Sequence, residues 1–72
     1  MYTQKFLTNR EREIFKLLII NYDTTEIAEK LKISEKTVRN HISNVIQKLG
    51  VKGRSQAILE LIRIKELSLD NK

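Results

Sequence analysis

Within one short stretch the chain places Lys36, Arg39, Asn40 and Ser43, polar side chains whose spacing gathers them on one side of a helix. An arginine guanidinium can donate two parallel bonds to guanine O6 and N7. An asparagine carboxamide pairs in the same two-point way with adenine N6 and N7. Lys36 and Ser43 can reach base edges or phosphates, and Gln47 continues the face one turn farther along. Around this group stand Thr24, Ser34, Thr37, His41, Asn44, Lys48, Lys52 and Arg54, donors of the kind that fix a protein on a phosphate backbone. The chemistry on offer is recognition of double-stranded DNA, with bases read by Lys36, Arg39, Asn40 and Ser43 and phosphates held by the rest.

Other chemistries lack their parts. There is no cysteine and only one histidine, His41, which removes disulfides and thiolate metal sites and leaves nothing to build a histidine site. Glycine occurs only at Gly50 and Gly53, so there is no phosphate-cradling loop, and no nucleophile elbow or triad can be assembled around the lone imidazole. The reading is therefore not an enzyme, with no cofactor, no metal and no small-molecule ligand in this chain. No segment approaches the ~18 consecutive apolar residues of a membrane span, and residues 1–9 lack the apolar stretch of a signal peptide. The expected location is the bacterial cytoplasm or nucleoid, with no membrane partner.

Charge points the same way. The 72 residues carry a net charge of +5, one footprint of nucleic-acid binding. Between Lys30 and Arg54 there are seven basic residues and one acid, Glu35, so that segment is +6 and the remainder is −1. The excess lies beside the candidate readers, where a phosphate backbone would run.

The elements that position these residues can be read from caps and apolar stripes. Seventy-two residues make one small domain, and a chain without proline reads as helices joined by short turns. In the first helix, about 9–20, Thr8 and Glu11 form a capping box. Glu11, Ile14, Phe15, Leu17 and Leu18 follow at helical spacing, and Asn21 is a left-handed stop. Thr24 is the cap expected for a second helix of about 25–31, whose face is Ile27, Ala28 and Leu31. Ser34 caps a third of about 35–49, in which Val38, Ile42, Val45, Ile46 and Leu49 fall in a sector about 100° wide and Gly50 is the stop. A fourth helix of about 54–66 starts at Gly53, with Gln56 able to complete its cap.

The order of a short helix, a three-residue break and a longer helix is a helix-turn-helix, here about 24–43. In such a motif the third helix lies in the major groove and the second crosses the backbone. On the fourth helix Ala57, Ile58, Leu61 and Ile64 suffice for a core face, while Leu59 and Ile62 widen the apolar sector beyond it. That surplus points to a homodimer related by a two-fold axis, with Leu59, Ile62, Arg63 and Glu66 assigned to the seam. The competing class is a helical protein–protein module using the same surface, which would have no affinity for duplex DNA.

Four motifs in register, Thr8-x-Arg10-Glu11-x-Glu13, Glu26-Ile27-Ala28-x-x-Leu31, Ile33-Ser34-x-x-Thr37-Val38-x-x-His41 and Lys48-Leu49-Gly50-Val51-x-x-Arg54-x-x-Ala57, resemble the LuxR/GerE-type helix-turn-helix DNA-binding domain family. The likeness covers about 5–69 and is greatest to a stand-alone spore regulator of that family. It implies an all-α, four-helix bundle-like domain, a single unit over 1–72, that binds DNA as a dimer through its last helix and regulates transcription. RNA polymerase is a further candidate partner. The family's base-reading positions fall on Arg39, Asn40 and Ser43. Its buried ion pair maps onto Glu11 and Arg54, which would make Arg54 structural rather than a phosphate contact. Two departures stand out: Asn21 replaces the glycine usual after the first helix, and Lys32 replaces the glycine common in helix-turn-helix breaks. These 72 residues also include no receiver or ligand-sensing domain, which most members carry.

Overall fold

The structure is a computed structural model and describes residues 7–64 and 67. Its elements are α1 (Asn9–Ile19), α2 (Thr24–Leu31), α3 (Glu35–Leu49) and α4 (Arg54–Arg63). Central α3 packs against each of the other three helices, and α1 also meets α2. The four-helix, all-α expectation holds.

At the starts of α1, α2 and α3 a side chain satisfies a backbone N–H that lacks a partner in the first turn. At α1, Thr8 Oγ1 accepts from the Glu11 N–H at 3.1 Å and Glu11 Oε1 accepts from the Thr8 N–H at 3.0 Å. At α3, Ser34 Oγ accepts from the Thr37 N–H at 3.0 Å. The expected Thr24 cap of α2 is corrected: Asp23 is the cap, accepting from the Glu26 N–H at 2.8 Å, while Glu26 accepts from the Asp23 N–H at 2.9 Å. A capping box needs a carboxylate or amide three residues beyond the cap, and only Asp23 has one there. Thr24 is the first helical residue instead. At α4 the expected cap is corrected: Gly53 has no side-chain capping bond, and Gln56 accepts instead from the Lys52 N–H at 2.9 Å, one residue before Gly53.

Three helices stop the same way. Asn21, Lys32 and Gly50 take left-handed backbone angles, with φ of 78°, 61° and 70°. Just beyond each, Tyr22, Ile33 and Val51 donate backbone N–H groups to Leu17, Ala28 and Ile46 at 3.0, 3.0 and 3.3 Å. This is the Schellman arrangement, which closes carbonyls the helix leaves open. The sharp stop at Lys32 turns the chain directly into Ser34 and α3.

The core contains Ile14, Phe15, Ile27, Ala28, Val38, Ile42, Val45, Ala57 and Leu61, one or more from every helix. It also contains Leu7 and Leu67, which lie outside the helices and carry no periodic signal of their own. The Leu67 N–H donates to the Leu61 carbonyl at 3.2 Å, which brings the chain back onto the core after α4. That helix ends at Arg63, short of the expected 66, with Ile64 as its cap. Glu66 is outside the described residues.

Candidate nucleic-acid interface

α2 packs against α3, the small Ala28 lies in the core with Val38 and Ile42, and the turn residue Ile33 packs against the same core. Because Val38, Ile42 and Val45 point into the core, helical geometry sends the positions between them outward. Lys36, Arg39, Asn40 and Ser43 are all exposed, and Gln47 is exposed on the same side. The four expected base readers thus share one solvent-facing surface of α3.

The expected phosphate donors flank it. Ser34, Asn44, Lys48 and Lys52 are exposed, while Thr24, Thr37 and His41 are half-buried. Ser34 Oγ, besides capping α3, donates to Thr37 Oγ1 at 2.9 Å.

Arg39 is not idle. Its Nη1 lies 3.4 Å from Glu35 Oε1 one turn earlier, and both side chains are about half exposed. Exposed pairs at this spacing contribute only about 0.3–0.5 kcal/mol, so a guanine edge competes for the guanidinium without a large penalty. Thr25 Oγ1 donates to the other Glu35 oxygen at 2.9 Å, from α2 across the turn. Glu35 and Thr25 were not among the expected site residues. The Glu35-to-Arg39 spacing is a legible helix pair, but the Thr25 contact needs the folded motif.

One expectation is corrected here. The buried carboxylate of Glu11 is held by Lys48, whose Nζ is 2.8 Å from Glu11 Oε1, and not by Arg54, which is exposed. Packing of α1 on α3 brings the last turn of α3 beside the α1 start, whereas Arg54 opens α4. Burial pushes the Glu11 carboxyl up, but the Lys48 bond, the Thr8 N–H and the charges of Lys48 and His41 outweigh it and hold the group below its ordinary value. Lys48, expected at phosphates, is thus engaged in structure, and Arg54 is available to solvent.

On α4, Leu59 is 67% exposed, the largest exposed fraction among the big apolar side chains described. Ile62 is half-buried and packed against the core. Arg63 is exposed and pairs with Glu60 one turn earlier, its Nε donating to Glu60 Oε1 at 3.2 Å. Among the described residues, Ile20 and Ile64 are the other exposed large apolar side chains. Among the described residues no helix is long and apolar enough to cross a membrane.

Comparison with known proteins places these features. The sequence profile of the bacterial regulatory proteins, luxR family, matches residues 5–61. The spore germination protein GerE of Bacillus subtilis (strain 168) is 64% identical over 67 residues, covering 93% of this chain and 90% of that protein. The transcriptional regulatory protein DegU of Brevibacillus brevis is 49% identical over 57 residues, which are 79% of this chain but 24% of that longer protein. A solved structure of the transcription factor GerE superposes with a TM-score of 0.90 at 72% identity, covering 93% of this chain and 100% of that one.

Proposed function

This chain belongs to the luxR family of bacterial regulatory proteins and is a transcription regulator with a DNA-binding helix-turn-helix, and from that premise we propose how it engages DNA. The whole chain works as one DNA-binding domain. α3 enters the major groove, and α2 lies across the phosphate backbone. Lys36, Arg39, Asn40 and Ser43 read base edges, with Arg39 on a guanine and Asn40 on an adenine. The observation that carries this reading is the single exposed α3 face holding all four, opposite the buried Val38, Ile42 and Val45.

Phosphates are met by Thr24, Ser34, Thr37, His41, Asn44 and Lys52. Arg54 joins them, since Lys48 rather than Arg54 holds Glu11. These contacts set register and orientation and carry no sequence information.

The protein binds as a homodimer through α4, with Leu59 at the centre of the seam and Ile62 and Arg63 beside it. An isolated apolar side chain as exposed as Leu59 gains from burial against a symmetry-related copy. Two copies on one duplex would read two half-sites about one helical turn apart. In the bacterial cytoplasm such a dimer would act on transcription at its site, with RNA polymerase as a further partner. Selection of binding sites from random duplexes tests the reading: it should return a two-fold symmetric consensus, and recovery of no sequence preference would reject it.

A further inference from the structure

Resting on the reading of Arg39 as a base reader, we propose that Glu35 is the residue that positions Arg39 and sets how strongly binding depends on sequence, with Thr25 as its anchor. Each carboxylate oxygen of Glu35 has its own partner: Thr25 Oγ1 at 2.9 Å from Oε2, and Arg39 Nη1 at 3.4 Å from Oε1. Thr25 belongs to α2 and Arg39 to α3. The carboxylate therefore links the two halves of the motif, and the rigid α2–α3 corner sets where the guanidinium starts. A guanidinium has five N–H donors, so one held by Glu35 leaves others facing outward for a guanine edge.

Two physical effects follow, and both act on specificity. A long side chain held before binding loses less conformational freedom on the base, a saving bounded by the strength of the pair that holds it. Glu35 is also the one acid between Lys30 and Arg54, and its charge offsets that of Arg39. Attraction to phosphates of any sequence is reduced, while the directional bonds to a matching base are kept. Stabilisation of the α3 start by a first-turn carboxylate would instead change folding and leave discrimination between sequences untouched.

The test titrates the full chain against its selected duplex and a random duplex at one salt concentration, using Glu35→Gln, Thr25→Val, Arg39→Ala and the Glu35→Gln/Arg39→Ala pair. Glu35→Gln should bind the random duplex more tightly and lower the selected-to-random affinity ratio by about twofold, the range one exposed helix pair covers. Thr25→Val, which alters no charge, should lower the ratio and leave random binding unchanged. With Arg39 already removed, Glu35→Gln should no longer move the ratio. Equal changes on both duplexes, or an effect of Glu35→Gln on the ratio that persists without Arg39, would overturn the proposal. An Arg39→Ala ratio equal to the parent's would reject Arg39 as a base reader, and this proposal with it.

Discussion

Lys48 Nζ lies 2.8 Å from Glu11 Oε1 and ties the last turn of α3 to the first turn of α1 across 37 positions of sequence. Glu11 is only 5% exposed, and the same oxygen accepts the Thr8 N–H that opens α1. The contact joins the start of the first helix to the end of the reading helix, so it bears on how firmly the reading face is held.

Removal of the ammonium leaves that carboxylate buried with one partner fewer. Because the Lys48 side chain is itself 33% exposed, Lys48→Ala should cost about 1–3 kcal/mol, less than the loss of a partner from a fully buried pair. A denaturant titration measures it, and an unchanged midpoint would contradict it. The folded variant should keep the parent's salt dependence of DNA binding. Lys52→Ala, by contrast, should lower the salt slope by about one unit on every sequence.

The same carboxyl sets an acid limb. Its folded value lies below the ordinary 4.5, so the unfolded chain takes up the proton more readily than the folded one. The resulting stability is fully present above about pH 4.5 and is lost as pH falls through the lower folded value. Glu11→Gln lacks this dependence. Stability measured from about pH 6 downward should fall more steeply in the parent than in Glu11→Gln, whereas parallel curves would show that Glu11 is not responsible.

The left-handed stops make a paired prediction. A residue with a Cβ at such angles costs roughly 1–2 kcal/mol, and Lys32 bears that strain at φ 61° while Gly50 avoids it at φ 70°. Space is open around Gly50 for a Cβ, so Gly50→Ala should destabilise by about that strain alone. Lys32→Gly relieves strain but frees the unfolded chain, leaving a gain of under about 1 kcal/mol. Thermal melts of the two variants should shift in opposite directions.

Much of this architecture is legible in sequence because it is local. Thr8 with Glu11, Ser34 before a striped helix, and Asn21 and Gly50 after one are relationships of a few residues, and the structure keeps them. At Asp23-Thr24-Thr25 three cap-competent residues compete, and Glu26 decides, since it stands three beyond Asp23. That signal was available and favours Asp23 over Thr24. The Glu11 partner was not available: several cations could reach a buried carboxylate, and only the packing of α1 on α3 selects Lys48. Thr25 and Glu35 are likewise ten residues apart and meet only through the corner at Lys32. The outward α3 face was readable, and its internal wiring was not.

Leu59 bears on assembly. Leu59→Asp places a charge at the proposed seam while leaving the core intact, because that side chain is 67% exposed. Sedimentation should show a folded monomer with weakened affinity for a two-half-site duplex. A dimer that persists with Asp at this position would place the interface elsewhere.

The central claim is that α3 reads sequence through Arg39. Affinities of the parent and Arg39→Ala for the selected duplex and a random duplex, compared at equal salt, test it most directly. The expected result is a loss on the selected duplex that exceeds the loss on the random duplex by about 1–3 kcal/mol, with preference relaxed at one base position. Equal weakening on both duplexes would make Arg39 a phosphate contact and contradict the account.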